Sequence, residues 1–229
     1  TMTAKMPMKT LSGAFSPPSP VIESAMAAAA QCSGADVPLL LCRHCGLTGR
    51  LGAREAFSSM SLPLRSQGGA PYRTAAEALL GYLGARQTVE LRDWACNAPA
   101  CVARGVAADD PVKTPNVVQW PRVLILHLLR WDNNRILVPH AVAPDRTLRV
   151  SDTTYALRAV VTHEGESARS GHYVAPASRG DRWHVCDDEA VRPATESEAT
   201  AFVRDQVKGH TYLLFYEKVS SPAVSVALD

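Results

Sequence analysis

The sequence predicts an α+β fold in which an antiparallel sheet occupies the second half of the chain. Three observations support this class: successive β-rich segments after residue 115, a capped amphipathic helix before them, and two close pairs of cysteines in the first half. With 229 residues and 46% hydrophobic content, the chain is long enough to bury a core.

Composition excludes several classes of partner. The formal net charge is only +2, with acids and bases interspersed, so no basic patch is expected to hold nucleic acid. The longest apolar run, residues 123–129, is far shorter than the ~20 residues that a membrane span needs. No signal peptide is recognisable at the N-terminus. We therefore expect an intracellular protein with no nucleic-acid or membrane partner.

The first part of the chain predicts little regular structure before the cysteines. Residues 1–35 are expected to form a flexible lead-in, with a helix favoured by propensity alone over 21–31. Residues 37–41 predict a short strand, and residues 57–64 predict an edge strand because Pro63 lies near their end.

A helix is predicted after the Gly-rich loop of residues 65–71. Thr74 has the residue type of an N-cap, and Glu77 three residues later completes a capping box. Gly84 is expected to end this helix, whose apolar face would pack on the core.

The second half reads as consecutive strands rich in Val, Leu, Tyr and Trp, with one helix over residues 196–204 beside the resulting sheet. The predicted strands are residues 117–131, 155–163, 172–177, 182–187 and 210–218.

Two of these strands carry the residues with the clearest chemical meaning. His172 begins one strand and Asp187 ends the next, fifteen residues later, so a hairpin could bring the two side chains together. A thiol nucleophile needs such a pair: the imidazole takes the thiol proton, and the carboxylate orients the imidazole. Gly171 lacks a Cβ, which lets another backbone segment pass close to His172.

Five segments in order resemble the C-terminal part of ubiquitin-specific proteases, which belong to the papain-like cysteine peptidases. They include VTHEG, SGHY and YLLFY, and together they extend over residues 115–218. In full, the segments are residues 121–131, 161–165, 170–173, 183–188 and 212–216.

The resemblance implies roles for particular residues and a partner. The catalytic His of the family corresponds to His172 and the third catalytic residue to Asp187, with Asp188 as an assisting group. Gly171 and Tyr173 would contact the substrate, and residues 164–171 would form a mobile loop over the groove for the ubiquitin tail. The implied partner is ubiquitin or a ubiquitinated protein.

Other side chains of the same types are expected to be structural. His127 lies within an apolar run and is expected to be a hydrogen-bonded core residue, while His163 is expected to anchor the loop. Cys186 alternates away from Asp187 along its strand, so it is interpreted as a small core residue.

The two cysteine pairs predict a structural zinc site. Cys42 and Cys45 are separated by two residues and followed by Gly46, as in a metal knuckle. Cys96 and Cys101 would complete a Cys₄ site of the kind found in the fingers subdomain of the resembled family. Four residues separate this second pair instead of two, and unliganded buried thiols are the alternative.

The nucleophilic Cys expected of the family is not recognisable in this chain. Cys32 lacks the surrounding sequence of that box, so the resemblance implies a partial fold without the N-terminal Cys lobe, inactive until that lobe completes it. We expect a lead-in (1–35), zinc-bearing fingers (36–105), a palm sheet (106–219) and a tail (220–229).

Two other functions are compatible with parts of the pattern. A catalytically inactive homologue that binds ubiquitin or acts as a scaffold would retain the same segments. A zinc-ribbon interaction module would explain the cysteines, but it leaves the ordered segments of the second half without a role.

Overall fold

The structure is a computed structural model, and it describes most of the chain after residue 26. The described residues are 27–46, 48–50, 53–88, 90–91, 94–105, 111–132, 137–167, 170–199 and 210–219. The predicted lead-in up to residue 26 and the predicted tail from residue 220 lie outside them.

Strands dominate the described part of the chain, and residues 27–31 and 196–199 are also helical. The elements are β1 (Gly34–Asp36), β2 (Leu39–Leu41), β3 (Thr48–Arg50), β4 (Glu55–Phe57), β5 (Met60–Leu62), α1 (Ala75–Leu83), β6 (Gln87–Thr88), α2 (Pro99–Ala103), β7 (Val112–Thr114), β8 (Val117–Gln119), β9 (Val123–Leu128), β10 (Thr147–Val150), β11 (Thr153–Ser167), β12 (Ser170–Arg179), β13 (Arg182–Asp187), β14 (Ala190–Ala194) and β15 (His210–Lys218).

The largest sheet runs in the order β14-β13-β12-β11-β15-β9-β5, and β10 pairs with the start of β11. Neighbouring strands in it are antiparallel, except that the edge strand β5 lies parallel to β9. The α+β class is confirmed, with the sheet in the second half of the chain as predicted.

One face of this sheet is buried in the main core. Leu124, Leu126 and Leu128 alternate along β9 and are each 0% exposed, as are Leu214 and Tyr216 on β15. These side chains pack with α1 and with apolar residues of β10. Burial of every second residue is what a strand with one face on the core produces.

The predicted strand over residues 117–131 is divided in the structure. Pro121 follows β8 and lacks a backbone N–H, so the ladder cannot continue through it. β8 pairs with β1 in a separate three-stranded sheet, whereas β9 belongs to the large sheet. The prediction of a single strand over residues 117–131 was wrong, because Pro121 separates two segments that pair in different sheets.

The segment predicted to be a loop over residues 164–171 is mostly extended strand. β11 continues to Ser167 and β12 begins at Ser170, and Glu164 pairs with His172 across the two strands. The prediction of a loop here was wrong, because the polar and glycine residues that suggested it are accommodated within a β-ladder.

Helix α1 begins and ends where its capping residues predict. The backbone N–H of Glu77 donates to the Thr74 side chain at 3.2 Å, and Glu77 accepts from the backbone of Arg73 at 2.7 Å. Gly84 follows the last helical residue and its N–H donates to Leu80 O. The buried face, including Ala78 and Leu79, packs on the large sheet.

The cysteine-bearing region is built on a small sheet in the order β3-β2-β7-β6. β2 leads directly into Cys42, and β7 joins the sheet from beyond residue 105. The small sheet thus includes strands from both sides of residue 105, so the boundary between fingers and palm at that residue stays a prediction. Within the described residues, no helix combines the length and apolar character needed to cross a membrane.

Candidate active site and cysteine cluster

His172 and Asp187 come together because β12 and β13 form an antiparallel hairpin. Val174 is directly opposite Asp187 in this ladder. His172 lies two residues from Val174, so its side chain is on the same face and diagonally adjacent to the carboxylate. The strand pairing of one hairpin thus brings together two residues that are fifteen positions apart in sequence.

The pair is connected by a hydrogen bond between His172 Nε2 and Asp187 Oδ1. The two side chains are 43% and 52% exposed, so the pair lies at the surface. This hydrogen bond is the largest of the causes that raise the pKa of His172 above 6.5, and the charges of Asp187, Asp188 and Glu164 act in the same direction. The imidazolium form is therefore favoured at this position.

Asp188 lies beside the same imidazole. Its Oδ2 is 3.9 Å from His172 Nδ1, beyond hydrogen-bonding distance, and its side chain is 80% exposed. The backbone of Asp188 has a φ of +48°, a left-handed conformation that Asp tolerates better than most residues. Asp187 thus engages Nε2, whereas Asp188 makes no hydrogen bond to Nδ1.

Gly171 lies against a second, buried histidine. A Cβ on Gly171 would be 2.2 Å from His163 Nε2 and 2.5 Å from the carbonyl oxygen of Glu164. Any side chain here would force the hairpin apart, so glycine is required immediately before His172.

An aromatic group surrounds the same end of the sheet. Tyr173 is 47% exposed, and its ring centroid is 4.8 Å from that of His163 and 6.0 Å from that of Tyr212. Trp131 packs against both His163 and Tyr212. The sequence alone suggested no role for Tyr212 or Trp131, although both lie within segments that carry the family resemblance.

The remaining predicted structural residues have distinct environments. His127 is half-buried, and its Nδ1 is 3.2 Å from Ser61 Oγ. His163 is 2% exposed. Cys186 is half-buried and faces Ala175 across the hairpin, so it is less enclosed than a core residue. Cys32 follows the helical residues 27–31 and is also half-buried.

The four cysteines of the two pairs form one cluster, in which all Sγ atoms lie within 4.8 Å of one another. Cys42 Sγ is 3.9 Å from Cys101 Sγ, and Cys45 Sγ is 3.6 Å from Cys96 Sγ. A tetrahedral zinc site with Zn–S bonds of about 2.3 Å has sulfur atoms roughly 3.8 Å apart. The wider spacing between Cys96 and Cys101 is accommodated because Cys101 lies on α2.

The chemistry of the sulfur atoms is also compatible with a metal. Backbone N–H groups of Cys45 and His44 point at Cys42 and lower the pKa of its thiol to about 6. Burial raises the pKa of Cys101 to about 12, so its thiolate needs a cation nearby to persist. The donor set fits a structural zinc ion better than isolated thiols.

A family model described as "Ubiquitin carboxyl-terminal hydrolase" matches residues 9–216 of this chain. Among curated proteins, Ubiquitin carboxyl-terminal hydrolase 21 of Rattus norvegicus is 28% identical over 195 residues, covering 80% of this chain and 32% of the relative. Ubiquitin carboxyl-terminal hydrolase 2 of Homo sapiens is 31% identical over 126 residues, covering 49% of this chain and 20% of the relative. The chain spans about a third of the length of the first relative.

Solved structures share the fold. The SAGA DUB module Ubp8/Sgf11/Sus1/Sgf73 bound to monoubiquitin gives a TM-score of 0.66 at 19% identity, covering 83% of this chain and 41% of that chain. The same module bound to ubiquitin aldehyde gives a TM-score of 0.64 at 19% identity, covering 83% of this chain and 42% of that chain.

Proposed function

Because this chain belongs to the ubiquitin carboxyl-terminal hydrolase family, we propose that it supplies the His–Asp half of a thiol-dependent deubiquitinase. A separate Cys lobe of the same protein would supply the nucleophile, and the bond cleaved would follow the C-terminal glycine of ubiquitin. One observation carries the proposal: His172 Nε2 is hydrogen-bonded to Asp187, while the Asp188 carboxylate lies 3.9 Å from Nδ1, beyond hydrogen-bonding distance.

The geometry of the pair suits proton transfer from a thiol. With Asp187 accepting from Nε2–H, the lone pair of the neutral imidazole is on Nδ1, where it can take the proton of an incoming thiol. The resulting imidazolium is stabilised by Asp187, consistent with the raised pKa of His172.

The reaction then follows the two-step course of covalent catalysis. The thiolate attacks the carbonyl carbon of the terminal glycine, and the C–N bond that follows it breaks as His172 returns its proton to the leaving amine. A water molecule, deprotonated by His172, hydrolyses the thioester and releases the ubiquitin carboxylate. His172 and Asp187 are catalytic in this scheme, and Asp188 assists through its charge.

Ubiquitin is the proposed substrate and binding partner. Two of the structural neighbours are bound to monoubiquitin and to ubiquitin aldehyde. Gly171 and Tyr173 would line the groove for the ubiquitin tail, since they flank His172 and Tyr173 is exposed. The proposed setting is intracellular, where ubiquitin conjugates occur.

We assign structural zinc to Cys42, Cys45, Cys96 and Cys101. Zinc would join the end of β2 to helix α2 with four protein ligands, which leaves no position for a reacting water. Its role would be to stabilise the small sheet.

The decisive experiment joins the chain to an upstream Cys-bearing lobe and measures cleavage of a ubiquitin–coumarin conjugate. His172→Ala should lower turnover at least about a thousandfold, since it removes the group proposed to take the thiol proton, while ubiquitin binding is retained. Asp187→Asn should lower it about tenfold or more. Asp181→Asn, the same change at the far turn of the β12–β13 hairpin, serves as the control.

Full turnover in His172→Ala would remove this residue from the mechanism. Ubiquitin binding without turnover in the wild-type protein would instead favour the alternative function, a catalytically inactive ubiquitin-binding homologue.

A further inference from the structure

His163 is a buried imidazole that lies beneath the backbone carrying His172. It is only 2% exposed, although histidine is seldom fully buried. On β11 it is paired with Tyr173 of β12 and with His210 of β15, so its backbone is held on both sides. The mechanism above assigns it no role.

Two glycines enclose the edge of this ring. A Cβ on Gly171 would be 2.2 Å from His163 Nε2 and 2.5 Å from its Cε1. Gly165 has a φ of +141°, and a Cβ there would be 3.4 Å from Cε1. The backbone of the β11–β12 hairpin therefore packs directly on the imidazole, with no side chain between them.

The ring is fixed by packing more than by hydrogen bonds. Its centroid is 4.8 Å from that of Tyr173 and 5.1 Å from that of Trp131. Nδ1 is buried and has no hydrogen-bond partner among the described residues. Burial lowers the pKa of His163, so the ring is neutral near pH 7. A neutral five-membered ring fits this space, whereas a phenyl ring would extend into Gly171.

We propose that His163 is a positioning residue. Contact with its imidazole fixes the position of the Gly171 backbone and thereby keeps His172 aligned on Asp187. The inference rests on the proposed function for its meaning in catalysis, but its geometric part concerns this chain alone. His163 touches neither the thiol nor the substrate in this scheme.

The physical reason is the short reach of the hydrogen bond between His172 and Asp187. Gly171 immediately precedes His172, so a shift of its Cα moves the imidazole by a similar distance. A displacement of about 1 Å at a catalytic group can cost on the order of a hundredfold in rate. The side chain at position 163 must therefore fit the space beside Gly171 without displacing its backbone.

The first test measures the pKa of His172 by NMR titration of its Cε1–H in this chain. In the wild type it should titrate above 6.5. In His163→Phe it should fall toward 6.5, because the larger ring displaces Gly171 and weakens the bond to Asp187. Leu148→Ala on β10, buried in the core away from the hairpin, should lower stability without moving the pKa of His172.

A second variant covers the case in which His163→Phe does not fold. His163→Gln keeps a polar group near Nε2 without the ring, and the pKa of His172 should again fall toward 6.5. An unchanged pKa in the folded His163 variants would overturn the proposal, as would an equal change in Leu148→Ala.

A kinetic measurement on the chain joined to its Cys lobe separates positioning from binding. His163→Gln should lower kcat about tenfold with little change in KM, because ubiquitin contacts are retained. An altered KM at constant kcat would contradict the inference. If the joined wild-type protein has no activity, the proposed function fails, whereas the NMR result still decides the geometric inference.

Discussion

At the residue scale, the two ring nitrogens of His172 have different surroundings, and this difference determines which nitrogen can accept a proton. Nε2 is bonded to Asp187, while Nδ1 is 3.9 Å from the nearer carboxylate oxygen of Asp188. The pairing of His172 with Asp187 could be predicted from their separation and from the family resemblance. The contact between Gly171 and His163 could not, because it depends on how closely two strands approach.

Gly171→Ala should destabilise the chain by about 1–3 kcal/mol, since the new Cβ would overlap the ring of His163 and the backbone of Glu164. Urea unfolding followed by circular dichroism measures the loss. Gly49→Ala is the matched control, because a Cβ on Gly49 meets no atom within 4 Å. Equal stability of the two variants would refute the close approach.

At the element scale, the long strands of the second half and the short strands β2 and β5 were predictable, whereas β14 and several other short strands were not. β9 alternates between buried and partly exposed residues over its six positions, and β15 alternates over residues 213–217. β14 has five residues, includes Pro193 and is largely exposed, so it carries no such pattern. The change of sheet between β8 and β9 also escaped prediction, since pairing partners are not encoded in local sequence.

The cysteine cluster connects elements that are distant in sequence, and its metal content can be measured directly. Elemental analysis of the purified chain should give about one zinc per molecule, and Cys42→Ser should lose it because one of four ligands is removed. Cys186→Ser should keep the zinc, since Cys186 lies on β13 outside the cluster. A folded wild-type chain without metal would contradict the assignment.

At the scale of the whole molecule, the large sheet is buried on one face, and one buried and three half-buried histidines lie on it or beside it. Burial lowers the pKa of His127, His140, His163 and His210 below 6.5. Protonating these residues in the folded state is therefore harder than in the unfolded state. His172 has a raised pKa and acts in the opposite direction, but its exposure limits the effect.

The free energy of unfolding should consequently be highest above about pH 6.5 and fall as the pH decreases. The reason is that these histidines bind protons more readily in the unfolded chain than in the folded one. Urea unfolding at several values between roughly pH 7.5 and 5.5 tests this, with zinc content checked at each. His163→Gln should show a shallower decrease. Stability that increased toward lower pH would mean that burial does not hold these histidines neutral.

The central claim is that Asp187 holds His172 ready to accept a proton, and NMR titration of His172 in the isolated chain tests it most directly. The wild type should titrate above 6.5, and Asp187→Asn should abolish most of this elevation, because the hydrogen bond to Asp187 is its largest cause. Asp188→Asn should have a smaller effect, since Asp188 acts through charge alone. A His172 pKa that is unchanged in Asp187→Asn would contradict the claim.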